Sequence, residues 1–229
     1  MKFISALVTA ASGSIRGCTA SRNRSGAYFR GRVVPVNPGS IQQNAVRNNL
    51  AALVAAWTST LTQAERDAWS LWADNTPQTD PLGQTYHMTG QNAFIGMNAV
   101  RNQGGEATLL VAPAVFSGAV LTPPNMTAAD QSLQQLTIAF TNTDVWANSA
   151  LGGLNIYVGR PQNPSVAFYK GPYQYTATID GNAVPPVSPL QIASVIPFVA
   201  GQRVHVQFRA YNADGRISSV QRDSIIAVA

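Results

Sequence analysis

Residues 203–210 read Arg203-Val204-His205-Val206-Gln207-Phe208-Arg209-Ala210, with polar and apolar side chains in strict alternation. Successive side chains of an extended chain point to opposite faces. The octet therefore predicts a strand with Val204, Val206, Phe208 and Ala210 on a core, and Arg203, His205, Gln207 and Arg209 on a polar face. Asp214-Gly215 follows as a tight-turn signal and Ile225 to Val228 offers a return strand, so 203–212 and 216–228 are expected to form a hairpin. Upstream, Leu136, Ile138 and Phe140 alternate with Thr137, Ala139 and Thr141. Tyr173, Tyr175, Ala177 and Ile179 alternate with Gln174, Thr176 and Thr178, and Leu154 to Val158 is a further apolar run. Asp180-Gly181 marks another turn. Short strands joined by Pro-rich links predict an antiparallel β-sandwich of immunoglobulin or fibronectin type III character over residues 105–229.

Before residue 105 the period changes from two to helical. Val46, Leu50, Leu53, Val54, Trp57 and Leu61 recur at helical spacing behind Ser40-Ile41-Gln42-Gln43, a capping-box sequence, so a helix is expected over about 41–58. Thr62-Gln63-Ala64-Glu65 is a second capping box and opens a helix over about 63–75, with Trp69, Trp72 and Ala73 on one stripe. The short break between these helices predicts a packed hairpin with Trp57, Trp69 and Trp72 in its core. Thr76 to Gly83 reads as a loop, and Thr89 is expected to cap a third helix over about 90–103 carrying Phe94, Met97 and Val100. The expected fold class is α+β: an extended basic arm over 1–39, a short helical region over 40–104 and the β-sandwich over 105–229.

Composition excludes several classes of protein. The chain has 229 residues, 45% hydrophobic and 11% charged, which is too apolar for a disordered chain. The single Cys18 excludes an internal disulfide framework, and no apolar run reaches the ~18 residues of a membrane span. Met1-Lys2 followed by Phe3 to Ala11 has the charge and apolar run of a secretory signal, and Cys18 would suit lipid attachment. However, Arg16 stands where a small uncharged residue is expected and Ser12-Gly13-Ser14 interrupts the run, so an apolar strand or arm is the expectation there. The net charge of +5 is unevenly placed. Lys2, Arg16, Arg22, Arg24, Arg30, Arg32 and Arg47 occupy residues 1–64 without a single acid, whereas the remainder holds eight basic residues and all ten acids.

The chemistry-bearing residues are sparse. Neither a phosphate-cradling GxxxxGK loop nor a GxSxG nucleophile elbow is present. His87 and His205 are far apart and Cys18 stands alone, so no metal, no cofactor and no catalytic set is expected. His205 is expected as a solvated or hydrogen-bonded surface residue. Glu65 and Asp67 serve a helix N-terminus and Asp214 a turn, which leaves little for acid–base work and predicts a non-enzymatic protein. The candidate site is the arm, where Arg16, Arg22, Arg24, Arg30 and Arg32 combine with Tyr28 and Phe29. Guanidinium forks of this kind suit bidentate contact with carboxylates of a partner protein. Phosphate and base contact, or folding back on the chain's own β domain, are the alternatives. With no lysine cluster and a slightly acidic remainder, nucleic acid ranks below a protein partner.

The run Ser21-Arg22-Asn23-Arg24-Ser25-Gly26-Ala27-Tyr28 and then Arg32-Val33-Val34-Pro35-Val36-Asn37-Pro38 is followed by Gln43, Arg47, Trp57, Leu61-Thr62, Arg66 and Trp69. With Leu82-Gly83, Gly90-Gln91, Asn98 and Arg101, this pattern resembles a family of virion structural proteins from tailed phages and prophages over about residues 13–115. That family carries no catalytic assignment. The resemblance implies a virion role, chiefly that of a capsid decoration (cement) protein on the capsid surface. Its arm would bridge the major capsid protein or other virion proteins, in many copies of a symmetric assembly or as a homo-oligomer, with no membrane partner. A tail, neck or fibre-attachment component is one alternative. A secreted or surface glycan-binding module, with Tyr169, Tyr173 and Tyr175 as a platform, is another.

Overall fold

A computed structural model describes residues 13–23, 26–34, 36–79 and 83–229. The chain divides into two compact units, Met1–Asn44 and Ala45–Ala229. In the first, β1 (Gly13–Ile15), β2 (Cys18–Asn23) and β3 (Gly26–Gly31) form an antiparallel meander. Arg16 adopts a left-handed φ of 50° in the turn between β1 and β2, and the Arg32 N–H extends the ladder by donating to the Gly17 carbonyl at 2.8 Å. The expected extended arm is therefore a small sheet over 13–31, and the described residues from Arg32 to Ser40 carry no regular structure. The apolar strand or arm expected at the start, residues 1–12, lies outside the described residues.

Three helices follow among the described residues: α1 (Ile41–Ala55), α2 (Gln63–Asn75) and α3 (Gly90–Gln103). Ser40 Oγ accepts the Gln43 N–H at 3.3 Å, and Thr89 Oγ1 accepts the Asn92 N–H at 3.2 Å, as cap residues do. The expected last turn of the first helix is instead a π-turn over Ala56–Thr60. There the Thr58 and Ser59 hydroxyls donate to the Ala55 carbonyl at 3.0 and 2.7 Å, competing with the helical ladder.

The capping box of α2 is complete: Thr62 Oγ1 accepts the Glu65 N–H at 3.3 Å, and Glu65 Oε2 accepts the Thr62 N–H at 2.7 Å. The Thr62 backbone bond, helped by its hydroxyl, holds the Glu65 carboxyl below its usual range. A carboxyl lowered by folding adds stability above its unfolded pKa and loses that contribution as pH falls through the lowered value. Thr62→Ala is expected to cost about 1 kcal/mol in a urea titration at neutral pH, with the difference from wild type shrinking on acidification.

The helix that packs on α2 is α3, which corrects the expected pairing of the first two helices. Leu53, Leu61, Trp69, Trp72, Ala73, Ala93, Phe94 and Met97 form one apolar cluster, to which α1 contributes only Leu53 among its buried residues. Trp69 and Trp72 are fully buried, and Trp57 is half-buried beside Phe94 at 5.7 Å. The choice of α3 has a steric reason. A Cβ on Gly90 would stand 2.7 Å from the Ser70 backbone nitrogen, so only glycine lets the two helices approach this closely. The Trp69 and Trp72 indoles donate to the Leu110 and Val115 carbonyls at 2.7 and 3.0 Å, pinning the segment that leads to the sheets.

β4 (Gln78–Thr79), inside the expected loop, and β5 (Thr85–Tyr86), just beyond it, form a short antiparallel pair. Then come β6 (Asn125–Asp130), β7 (Gln135–Ala139), β8 (Gly153–Gly159), β9 (Tyr173–Asp180), β10 (Leu190–Ala193), β11 (Arg203–Tyr211) and β12 (Gln221–Ile226). They build two antiparallel sheets in the orders β10-β7-β6 and β12-β11-β8-β9, and none of the described sheets is closed. Leu136 and Ile138 from one sheet and Leu154, Ile156, Val158, Val204, Val206 and Phe208 from the other share a single core around Trp146. Val204, Val206, Phe208 and Ala210 are all fully buried, as their alternation predicts. β11 and β12 form the expected hairpin around Gly215, whose φ of +94° the turn requires, although the return strand begins only at Gln221. Ser218 donates its N–H to the Ala210 carbonyl at 2.9 Å within the hairpin and also bridges Ala119. Asp180-Gly181 makes no hairpin; the chain leaves β9 there and crosses to β10 in the other sheet. Among the described residues, no helix is long and apolar enough to cross a membrane.

Candidate functional site

The meander sorts the arm residues by parity. The register Thr19↔Arg30 and Ser21↔Tyr28 places Tyr28 and Arg30 on one face with Thr19 and Ser14, whereas Phe29 pairs with Ala20 on the other. Tyr28 and Phe29 therefore do not share one aromatic platform. Arg22 pairs with Ala27 in the ladder, Arg16 sits in the first turn, and Arg32 follows β3; Arg24 lies outside the described residues. Among the described residues, the exposed guanidinium groups of Arg16, Arg30 and Arg32 make no ion pair. Of the residues from 13 to 44 whose side-chain exposure is described, none is buried, and Val33, Val34, Val36 and Ile41 are 75% to 89% exposed. In the second unit, α1 adds exposed Val46, Leu50 and Val54 at four-residue intervals, hence on one stripe. Arg47 is the only charged residue between 41 and 64.

The second unit carries a different kind of site. The polar face of β11 is not open to water: His205 is only 4% exposed, which corrects its expected surface setting. The segment after β8 folds over it, with the Val166 carbonyl 3.1 Å from Nε2 and the Tyr169 ring stacked on the imidazole at 5.5 Å. Alternation assigns a face but carries no mark of a distant segment that will cover it. Burial lowers the His205 pKa and outweighs the bond to Val166, so the neutral imidazole is favoured.

That covering segment is built around two tyrosines. The Tyr169 hydroxyl donates to the Pro172 carbonyl at 3.1 Å and the Tyr173 hydroxyl to the Tyr169 carbonyl at 2.9 Å. Their rings meet edge to face at 5.3 Å and 74°, and the Arg222 guanidinium stands 5.8 Å from the Tyr173 ring centroid. Burial raises the Tyr173 phenol pKa, with Arg222 opposing. Phe168, Tyr169, Tyr173, His205, Arg222 and Ser224 line an open pocket of about 290 Å³. Tyr175, the third tyrosine of the sequence-derived platform, is elsewhere; it packs against Tyr157 at 5.9 Å and bonds Thr178 at 2.8 Å. Sequence patterns did not mark Phe168 or Arg222, because neither residue type reveals what it will face once a loop is laid on a sheet.

At the other end of the same sheet face, α3 is bonded to the strands. The Asn155 amide donates to the Val100 carbonyl at 2.8 Å, and the Tyr157 hydroxyl to Gln103 at 2.7 Å. Arg101 is buried there, over the Tyr211 ring at 5.8 Å. Burial pushes the Tyr211 phenol up, and its hydroxyl is wedged where a Cβ on either Gly104 or Gly153 would collide with it. Among the described residues, no group of three His, Cys, Asp or Glu side chains converges to hold a metal, and Cys18 is an exposed free thiol. No family model, no curated protein and no solved structure matches this chain.

Proposed function

We propose that the protein is a non-enzymatic virion structural component, a capsid decoration or cement protein that bridges major capsid subunits through its N-terminal unit. A position in the tail, neck or fibre attachment is the alternative location. One observation carries this reading: where side-chain exposure is described between residues 13 and 44, the chain exposes valines, an isoleucine and arginines and buries none of its side chains. A sheet this small needs an apolar face or a packing partner to be stable, and a stretch this rich in exposed apolar side chains is stabilised when a partner covers it. The exposed guanidinium groups of Arg16, Arg30 and Arg32, which make no ion pair among the described residues, select a partner bearing carboxylates. The charge-poor α1, with its exposed Val46, Leu50 and Val54, has the composition of an interface centre, where charged residues are depleted. Permanent interfaces of this kind bury on the order of 2,000 Å² or more, which suits many copies in a symmetric shell.

Within this proposal the two sheets of the second unit form a β-sandwich of immunoglobulin or fibronectin type III character that faces solvent. The antiparallel pairing of each sheet and the core they share support that assignment. Deletion of residues 1–36 is expected to abolish association with undecorated capsids in co-sedimentation. The remaining chain should still unfold cooperatively, because both apolar clusters lie in the second unit. Full capsid occupancy by the truncated chain would overturn the proposal.

A further inference from the structure

We propose that the pocket of Phe168, Tyr173 and Arg222 is a binding site for an acidic saccharide, a sugar ring that carries a carboxylate. The pocket lies wholly within the second unit, so the inference stands apart from where the N-terminal unit docks. It rests on which groups are already spent and which remain. Both tyrosine hydroxyls are committed to backbone carbonyls of the covering segment. Arg203 is committed too, through Nε to the Pro164 carbonyl at 2.9 Å and through a terminal nitrogen to Ser224 Oγ at 3.2 Å. Asp223 also lines the pocket, and its carboxylate is engaged by the Met126 and Ser224 N–H groups, from which it accepts at 2.6 and 2.7 Å. What remains is the Phe168 ring, 72% exposed at the rim, and the Arg222 guanidinium, held beside Tyr173 with no ion pair among the described residues.

An exposed ring face matched with one cation fits an amphipathic ligand with a single negative charge. The C–H face of a sugar covers the ring, and a carboxylate takes a bidentate contact from the guanidinium. The neutral His205 beneath Tyr169 supplies no second positive charge, which disfavours a phosphate-rich ligand. A planar base is disfavoured as well, because Tyr169 and Tyr173 meet at 74° and offer no parallel slot. At about 290 Å³ the pocket is at the small end of ligand sites, which points to one ring at the end of a chain.

The test uses the full chain in calorimetry and saturation-transfer NMR, with sialyllactose and trigalacturonate as acidic probes and lactose and maltotriose as neutral ones. At least one acidic probe is expected to bind, and its neutral counterpart about tenfold more weakly. Arg222→Gln should weaken the acidic probe about tenfold, and Phe168→Ala should weaken it comparably. Both side chains are exposed, so unchanged circular dichroism is expected in each variant. Absence of binding by both acidic probes at millimolar concentration overturns the inference. So does equal binding of the neutral counterpart, or an affinity untouched by Arg222→Gln.

Discussion

Arg101→Met is expected to destabilise the protein by about 2–3 kcal/mol, lowering the melting temperature by about 5–10 °C. Arg101 lies in the last turn of α3 and is 3% exposed, yet it has no carboxylate partner among the described residues. One terminal nitrogen instead donates to the carbonyls of Asn212, Leu151 and Ala213 at 2.9, 3.2 and 3.3 Å. Those carbonyls come from the ends of the β8 and β11 regions, so a single side chain gathers the helix and two loops. Methionine keeps the apolar stem and removes the charged donor; the buried Asn212 carbonyl retains the Gly215 N–H at 3.0 Å, while the Leu151 and Ala213 residues are partly open to solvent. A hydrogen bond from a charged donor is worth about 1.5–3 kcal/mol, and because one nitrogen shares the three contacts the loss is that of about one such bond. Arg66→Met is the control: Arg66 is partly exposed and donates to the Trp57 carbonyl at 3.1 Å, so its loss should cost about 1 kcal/mol. Equal midpoints for the two variants in urea would show that Arg101 is not the clamp its contacts suggest.

Arg101 also illustrates what a sequence conveys and what it withholds. Local signals were legible because their causes are local. Thr62-Gln63-Ala64-Glu65 and Thr89 fix where α2 and α3 begin, and the alternation at 203–210 fixes which side of β11 meets the core. Pairings between elements were not legible. The helical spacing of Val46, Leu50 and Val54 correctly gives α1 an apolar stripe but does not say that α2 will choose α3 and leave that stripe exposed. Likewise, the polar parity of His205 is real, and only the fold of residues 162–169 across β11 turns it into a buried position. The arm shows the same limit. Its arginines and aromatic residues are evident, but the turn at Arg16 and the strand parity that separates Tyr28 from Phe29 depend on the pairing of three strands. Of the tyrosines that suggested a platform, Tyr169 and Tyr173 meet and Tyr175 does not, because β9 carries Tyr175 to Tyr157 instead.

Gly181→Ala is expected to cost about 3 kcal/mol, for a reason opposite to the one that Asp180-Gly181 suggests in sequence. A turn glycine is kept for a left-handed φ, yet neither Gly181 nor Gly152 has one. Gly181 is kept for closeness: its N–H donates to the Gly152 carbonyl at 2.8 Å, and a Cβ there would overlap the Trp146 carbonyl oxygen. Gly152 meets the same oxygen from its own position, where a Cβ would stand 2.5 Å away. The Trp146 backbone is thus packed against two glycines, while its indole is fully buried against Phe140 at 5.4 Å. Adding a methyl group must move the carbonyl, and the carbonyl carries the largest side chain of the core with it. Gly201→Ala separates this steric cost from a conformational one, since Gly201 has a φ of +83° and open space where its Cβ would stand. That variant should lose only the left-handed preference, about 1 kcal/mol. In guanidinium titrations Gly181→Ala should therefore fall well below Gly201→Ala in midpoint, with a changed near-ultraviolet tryptophan signal that Gly201→Ala does not show. Equal midpoints, or a larger loss at Gly201, would mean that the backbone around Trp146 yields and that the close approach of these strands is not what holds the core in place.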